Sequence, residues 1–229
     1  MLLDAVRDFS ALVMPVVCAG CGDDDRSLCV ECSAALAPRV EMRAIDSWSR
    51  PVVSALRYEG RARQVLLAYK DRSRTDVAAA LSVPFAAAIA RARDGQQGAL
   101  LAPIPTSRAA YRRRGYDPVQ LLLKRSRCSP RRVLARARST GVQKSLTLAD
   151  RAENLAGALV ARRDLDGETF IIVDDILTSG ATIREAVRAI TAARGTVVCA
   201  ATLAFTPRLH PMRDIGPGED YGKAKGAQR

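Results

Sequence analysis

Unbroken apolar runs alternate along the chain with stretches in which apolar residues recur at helical spacing. Thr169–Val173 and Thr196–Phe205 are runs of the first kind, which are typical of parallel strands covered on both faces. Pro51–Tyr58 and Gly98–Ile104 are predicted to be extended as well. Helices are predicted over Leu2–Val13, Arg61–Tyr69, Thr75–Arg93 with an interruption at Pro84, Leu148–Leu159 and Thr182–Arg194. Strands that alternate with helices predict an α/β fold with a mainly parallel sheet flanked by helices.

The predicted elements divide the chain of 229 residues into three parts. Residues 1–48 form a helix and a small cysteine-rich module, and residues 51–206 form the α/β domain. Residues 207–229 form a disordered tail rich in polar residues, glycine and proline. Within the α/β domain, Arg108–Lys124 is predicted to be partly helical around Gly115, and Arg132–Ala137 is a candidate for a further strand.

Composition indicates a buried core and a negatively charged partner. Hydrophobic residues make up 48% of the chain and the mean hydropathy is −0.04, as in a soluble globular protein. The net charge of +12 suggests nucleic acid, a membrane surface or a phosphorylated small molecule. Eleven basic residues and one acidic residue lie between Pro105 and Thr140. A small phosphorylated ligand does not require so many cations, so nucleic acid stays open as a partner. A membrane surface is excluded as a partner, because no strongly amphipathic stretch accompanies the charge.

Several classes of protein are excluded by what the sequence lacks. His210 is the only histidine, which excludes a Ser-His-Asp triad and a site with several histidine ligands. The longest apolar stretches are short and interrupted by proline, so no membrane span is expected. Asp4 and Asp8 are unlike the basic start of a signal peptide, and a cytoplasmic protein is expected.

Four of the six cysteines form the pattern Cys18-x2-Cys21-x7-Cys29-x2-Cys32. Two Cys-x2-Cys pairs can present four thiolates tetrahedrally to zinc. Because the protein would supply all four ligands, we expect the Zn²⁺ to have a structural role. Four free thiols or two disulfides are the alternatives, and a reducing compartment disfavours the disulfides. Cys199 is predicted to be buried in the core, whereas Cys128 lies in a basic loop without an evident partner.

The segment from Phe170 to Thr182 is the most informative one in the chain. It begins as a predicted strand, and Asp174 and Asp175 follow at the carboxyl end, where α/β sheets bind ligands. The small residues 178–182 open directly into a helix, whose first N–H groups and dipole attract an anion. This combination suits a sugar phosphate, with the carboxylates for hydroxyl groups and the loop for the phosphate. An ordinary capped helix after a strand is the alternative, and the complete string disfavours it.

This segment resembles the phosphoribosyl pyrophosphate (PRPP) signature of type I phosphoribosyltransferases. Other segments resemble those of the ComF family, in the same order; this family joins an N-terminal zinc module to a phosphoribosyltransferase-like domain and is associated with DNA uptake in competent bacteria. They are Cys18–Cys32, Leu56–Gly60, Leu67–Lys70, Ala102–Pro105, Arg112–Tyr116 and Arg138–Asn154. The resemblance covers residues 12–206. It departs at Asp117-Pro118, where that family usually has Asn-Gln.

The resemblance implies a role for each part of the site. Asp174 and Asp175 would contact the ribose hydroxyls, directly or through Mg²⁺, and would act in catalysis together with Arg108. The 5′-phosphate would be held by Thr178, Ser179, Gly180, Ala181 and Thr182, and the pyrophosphate by Thr106, Ser107 and Arg108. A mobile loop with Gln143, Arg151 and Asn154 would close over the site and exclude water. Lys70 and Arg112–Arg114 are either substrate contacts or solvated surface charges.

Two functions are compatible with the resemblance. The first is an enzyme that transfers phosphoribose from Mg-PRPP to an unidentified acceptor. The second is a non-catalytic protein that binds PRPP or nucleic acid in DNA uptake or handling, with single-stranded DNA or DNA-uptake proteins as partners. Aromatic residues make up only 4% of the chain, which leaves few rings to stack a purine acceptor. A homodimer is compatible with either function.

Overall fold

The strands are seen in a computed structural model, which describes residues 16–24, 26–45, 48–137 and 157–207. They are β1 (Glu41–Ile45), β2 (Trp48–Arg57), β3 (Leu100–Pro103), β4 (Leu134–Arg136), β5 (Leu159–Ala161), β6 (Thr169–Leu177) and β7 (Thr196–Phe205). Five of them form one sheet in the order β1-β2-β7-β6-β3. In this sheet β1 is antiparallel to β2 and all other neighbours are parallel. β4 and β5 form a separate antiparallel pair.

Helices cover both faces of the sheet. They are α1 (Val30–Ala34), α2 (Gly60–Asp71), α3 (Ala78–Arg93), α4 (Arg108–Arg114), α5 (Pro118–Arg125) and α6 (Ala181–Ala192). One core contains side chains of α2, α3 and α5, and the other contains those of α6 and of the β4–β5 pair. The predicted α/β fold with a mainly parallel, helix-flanked sheet is confirmed.

Residues of β6 alternate between the two cores. Ile171 and Val173 lie in the core of α2, α3 and α5, whereas Phe170 and Ile172 lie in the core of α6. The relative exposure of all four side chains is 0%. A strand buried on both faces has no solvent side that would select polar residues, which explains its unbroken apolar run.

Gly115 and the pair Asp117-Pro118 separate α4 from α5. Gly115 has a φ of 79°, a conformation that glycine adopts with little strain, and ends α4 by donating its N–H to Tyr111 O at 2.7 Å. Asp117 then caps α5 by accepting from Gln120 N at 3.0 Å, and Pro118 lies in the first turn of α5. The prediction of partial helix around Gly115 is confirmed, and Asp117-Pro118 has a local structural role.

The Thr75–Arg93 helix differs from its prediction. α3 begins only at Ala78, after a 3₁₀ turn over Thr75–Val77, and it continues through Pro84 instead of being interrupted there. By length and composition Thr75–Arg93 could cross a membrane, with a mean hydropathy of 1.3. However, 50% of its most apolar window is buried, and α3 packs against β2, β7 and α5. It is therefore a core helix.

The prediction missed β1 and β5. β1 lies in the residues assigned to the cysteine module, yet it pairs with β2, so the predicted division after residue 48 falls within a pair of sheet strands. Leu159 was expected to end a helix and instead begins β5. Both strands are short and give little periodicity. Residues 157 and 158 of that predicted helix form a turn and a bend instead of a helix. Residues 148–156 of it, the Leu2–Val13 helix and residues 208–229 of the predicted tail lie outside the described residues.

Candidate functional site

The carboxyl ends of β3 and β6 bring two predicted parts of the site together. Pro103, the last residue of β3, is paired with Val173 of β6, and Ile104 N donates to Val173 O at 3.0 Å. The residues after Ile104 therefore lie beside Asp174 and Asp175. β6 itself continues to Leu177, so the two acids lie within the strand rather than after it.

The two aspartates form a crowded, half-buried pair. Asp175 N donates to the Asp174 Oδ1 atom at 2.9 Å, so the first carboxylate is turned back toward the second residue. Burial, and then the charge of Asp175, raises the pKa of Asp174 to about 7. Two carboxylates this close favour a bound cation, which would relieve the cost of ionising both.

Lys70 supplies one positive charge to this pair. Its Nζ atom lies 2.9 Å from Asp175 Oδ2, and both side chains are largely buried. The sequence left Lys70 open between a substrate contact and a surface charge, and the structure places it beside the Asp174–Asp175 pair. Its position depends on where the last turn of α2 lies relative to β6, which no local pattern reveals.

The end of α2 is fixed by contacts with the α4–α5 connection. The buried Tyr69 donates its hydroxyl to Pro118 O at 2.8 Å, and the Tyr116 hydroxyl donates to Tyr69 O. Arg114 pairs with Asp71 at 3.6 Å. Because Lys70 follows Tyr69 directly, these contacts position its ammonium group. Of Arg112–Arg114, only Arg114 forms an ion pair with another described residue.

The predicted phosphate loop leads directly into α6. Thr178 and Ser179 are exposed, Gly180 and Ala181 are buried and Thr182 is half-buried. Ser179 Oγ accepts from Ala181 N at 3.3 Å, and Ser179 O accepts from Arg184 Nη1 at 3.0 Å. The loop is therefore held against the positive end of the α6 dipole, an arrangement that suits a phosphate.

Replacing Gly180 by alanine is expected to destabilise this loop. Gly180 has a φ of 74°, and a Cβ atom there would lie 2.8 Å from Ile45 Cδ1 at the end of β1. Overpacking against Ile45 is expected to cost about 1–3 kcal/mol beyond the strain of the positive φ, which thermal unfolding would show as a fall in Tm of about 2–12 °C. Gly98→Ala is the matched control, because Gly98 has a φ of 85° with nothing within 4 Å of the added Cβ. Equal losses in the two variants would contradict a role for the Ile45 contact.

In the predicted pyrophosphate loop one side chain caps a helix, and the others are half-buried or exposed to solvent. Ser107 caps α4, since its Oγ accepts from Ala110 N at 3.1 Å. Thr106 is half-buried, and Arg108 is exposed in the first turn of α4. Arg136, which the sequence did not single out, donates from Nε to Pro105 O at 3.1 Å. Burial raises the pKa of Asp174, and the positive charge of Arg136 offsets a small part of that rise. Gln143, Arg151 and Asn154 lie outside the described residues.

The four cysteines of the predicted zinc site form one cluster. Their sulfur atoms all lie within 4.8 Å of one another, and Cys21 Sγ lies 3.6 Å from Cys29 Sγ. Tetrahedral zinc with metal–sulfur distances of about 2.3 Å requires sulfur separations of about 3.8 Å. All six cysteines are free thiols. The donor set therefore fits zinc, and Cys18, Cys21, Cys29 and Cys32 would hold it.

The environment of Cys18 favours a thiolate. Burial alone would raise the pKa of the Cys18 thiol, but hydrogen bonds from the backbone of Cys21, Cys29 and Gly20 outweigh burial and lower the pKa to about 6. A thiolate is the form that binds a metal.

Two arginines connect this cluster to the rest of the protein. Arg61 at the start of α2 donates to Cys32 Sγ at 3.5 Å and pairs with Glu31 at 2.7 Å. Arg74 donates to Val17 O at 2.9 Å and to Ser27 O at 3.4 Å. Cys18, Cys29 and Cys32 also belong to the core that contains α2 and α3. A metal bound there would stabilise α2, whose other end carries Lys70.

Comparison with known proteins concerns the α/β part of the chain. Residues 75–217 match the family model of the phosphoribosyl transferase domain, which is more than half of the 229 residues. The matched range contains the aspartate pair, the phosphate loop and the predicted pyrophosphate loop, whereas the cysteine cluster precedes it. No curated protein matches the sequence.

Proposed function

Because the chain belongs to the phosphoribosyltransferase family, we propose that it binds PRPP together with Mg²⁺ and transfers phosphoribose to an acceptor. The observation that carries this proposal is the meeting of three groups at one sheet edge. They are the Asp174–Asp175 pair with Lys70, the loop that opens α6, and the loop after β3. These groups match the three parts of PRPP, which are ribose, 5′-phosphate and pyrophosphate.

The chain's own residues would bind and orient the donor. The carboxylates of Asp174 and Asp175 accept hydrogen bonds from ribose hydroxyls, and the N–H groups of residues 179–182 bind the 5′-phosphate. Arg108 and Arg136 lie beside the predicted pyrophosphate loop and add positive charge there. Bound Mg²⁺ would neutralise part of the pyrophosphate charge.

Transfer would exchange one bond at C1 of the ribose for another. The bond from C1 to the pyrophosphate oxygen breaks, and its electron pair leaves with the pyrophosphate. A lone pair of the acceptor forms the new bond to C1, and the acceptor then loses a proton. The arginines stabilise the charge that develops on the leaving group, so no protein nucleophile is needed.

Replacing Lys70 by methionine is expected to weaken Mg-PRPP binding about tenfold or more. The substitution removes the only ion pair that Asp175 forms within the described residues, and it keeps a side chain of similar length. A charged hydrogen bond contributes about 1.5–3 kcal/mol. Arg63→Met, on the exposed face of the same helix, is the control. Calorimetry would measure the affinity of both variants for Mg-PRPP. Equal affinities of Lys70→Met and Arg63→Met would contradict a role for Lys70 in binding.

The finer assignment that we propose is a ComF-type protein that acts in DNA uptake in the cytoplasm. It is supported by the four-cysteine cluster that precedes the transferase domain and by the order of the resembling segments. Four closely spaced free thiols also suit a reducing compartment.

A non-catalytic PRPP-binding protein is the second candidate function. The observation that favours it is Asp117, whose side chain caps α5 at a place where the ComF family usually has an amide pair. Residues 117 and 118 therefore offer no side-chain amide to a substrate.

Release of pyrophosphate separates the two functions. The zinc-loaded chain would be incubated with Mg-PRPP and a panel of nucleobases, nucleosides and amines. Acceptor-dependent release supports the transferase. PRPP binding without release for any acceptor would favour the non-catalytic protein, and the absence of PRPP binding would contradict both.

A further inference from the structure

The four cysteines of the cluster differ in how open they are to solvent. Cys21 is exposed, whereas Cys18, Cys29 and Cys32 are buried. Cys21 also lines a cavity of about 550 Å³, which is bordered by residues 17–22, by α2 and by the residues that follow α2. Cys18 lines the same cavity, but its relative exposure is only 3%. A small reagent dissolved in water therefore reaches the sulfur atom of Cys21 first.

Cys29 offers a second sulfur atom to Cys21. The two Sγ atoms are 3.6 Å apart. Cys21 lies in a turn, and residues 21–24 are all exposed. Gly22 has a φ of 87°, and nothing lies within 4 Å of a Cβ atom added there, so the chain next to Cys21 has open space on that side. Because exposed loops move more easily than helices, the sulfur atom of Cys21 can approach that of Cys29, which caps α1.

We propose that the cluster is an oxidation site, at which hydrogen peroxide converts Cys21 and Cys29 to a disulfide. Cysteines that bind zinc are thiolates, which is the form that reacts with peroxides. The Cys21 thiolate attacks one peroxide oxygen, the O–O bond breaks, and Cys21 becomes a sulfenic acid while hydroxide leaves. The Cys29 thiolate then attacks the sulfur atom of Cys21, the S–O bond breaks, and a second hydroxide leaves. The two thiolates lose two electrons, the peroxide gains them, and two protons from solvent complete two water molecules.

This oxidation removes two of the four donors of the cluster. A thiolate binds zinc, whereas the sulfur atoms of a disulfide do not serve as ligands. Only Cys18 and Cys32 would keep their thiolates, and a closed structural site needs four ligands. The oxidised chain therefore releases its metal. In a reducing compartment such disulfides are transient, as a reversible response to an oxidant requires.

Release of the metal acts on α2 from both ends of its contact with the cluster. Arg61, at the start of α2, donates to Cys32 Sγ at 3.5 Å. Arg74, which follows α2, donates to Val17 O at 2.9 Å. The last turn of the same helix carries Lys70, whose ammonium group lies 2.9 Å from Asp175. Oxidation therefore loosens the helix that positions Lys70 and weakens PRPP binding, a consequence that rests on the proposed function.

The test oxidises the full zinc-loaded chain, carrying Cys128→Ser, with hydrogen peroxide. A metal-binding dye would measure zinc release, and mass spectrometry of a digest would identify the disulfide. We expect one zinc released per chain together with a Cys21–Cys29 disulfide, and recovery after addition of dithiothreitol and zinc. Cys21→His is the matched control, because a Cys₃His set also binds zinc and cannot form this disulfide. It is expected to release zinc about tenfold more slowly.

Calorimetry with Mg-PRPP, after catalase has removed the peroxide, tests the effect on the transferase site. Oxidation is expected to raise the Kd about fivefold or more, and reduction with added zinc is expected to reverse this. Zinc kept by the oxidised chain, a disulfide between other cysteines, or equally fast release from Cys21→His would overturn the oxidation site. An unchanged Kd in the oxidised, zinc-free chain would overturn the link through α2. A reduced chain that binds no Mg-PRPP would contradict the proposed function instead, because zinc release and the disulfide are measured without PRPP.

Discussion

Replacing Asp174 and Asp175 by asparagine is expected to raise the Kd for Mg-PRPP about 100-fold or more and to abolish acceptor-dependent pyrophosphate release. The substitution removes both negative charges that face the proposed ribose position, one of which is paired with Lys70 at 2.9 Å. Hydrogen bonds that involve a charged group contribute about 1.5–3 kcal/mol each, and every 1.4 kcal/mol is about a factor of ten in affinity. Two lost carboxylates therefore account for the expected change.

This double variant is expected to stay folded. Burial and the charge of Asp175 raise the pKa of Asp174, so an ionised Asp174 costs the folded state free energy, and asparagine has nearly the same shape without the charge. Because Asp175→Asn also breaks the ion pair with Lys70, the two effects oppose each other, and the Tm should stay within about 4 °C of that of the wild type. Asp94→Asn/Asp166→Asn removes two exposed carboxylates elsewhere and should keep PRPP affinity. A double variant at residues 174 and 175 that bound PRPP normally would contradict the assignment of the site.

Removing zinc, or replacing Cys32 by serine, is expected to lower Tm by about 10 °C or more. Cys32 has a relative exposure of 0% and belongs to the core of α2 and α3. In small zinc domains the metal contributes much of the folding free energy, and a loss of 1 kcal/mol lowers the Tm of a chain of this size by about 2–4 °C. Because Arg61 links Cys32 to α2, PRPP affinity should fall as well.

Cys128→Ser is the control for the zinc prediction. Cys128 lies outside the cluster, and within the described residues its Sγ donates only to Ser126 O, at 3.5 Å. Metal analysis should find one zinc per chain in this variant and in the wild type, and less in Cys32→Ser. A Cys32→Ser protein with the Tm of the wild type would contradict a structural metal.

Local patterns were sufficient to predict most of the sheet. The apolar runs of β6 and β7 are long and buried on both faces, so burial alone selects their residues. The loop that opens α6 was predicted because its small residues must follow one another in the chain. The cysteine cluster was predicted for the same reason, since all four ligands lie within 15 residues.

What the sequence could not predict depends on contacts between distant segments. Lys70 reaches Asp175 only because α2 packs across the sheet, and Arg136 reaches the β3 loop only because β4 ends beside it. β1 was not predicted, because its strand structure is defined by its pairing with β2 and not by a pattern in its own short sequence. The aspartates were expected after their strand, yet β6 extends to Leu177 because β7 continues to pair with it through Phe205.

Calorimetric titration of the full zinc-loaded chain with PRPP tests the proposed site most directly. We expect saturable binding of about one PRPP per chain that requires Mg²⁺ and is lost in Asp174→Asn/Asp175→Asn. The contrary result would be no binding of Mg-PRPP by folded protein that contains one zinc per chain.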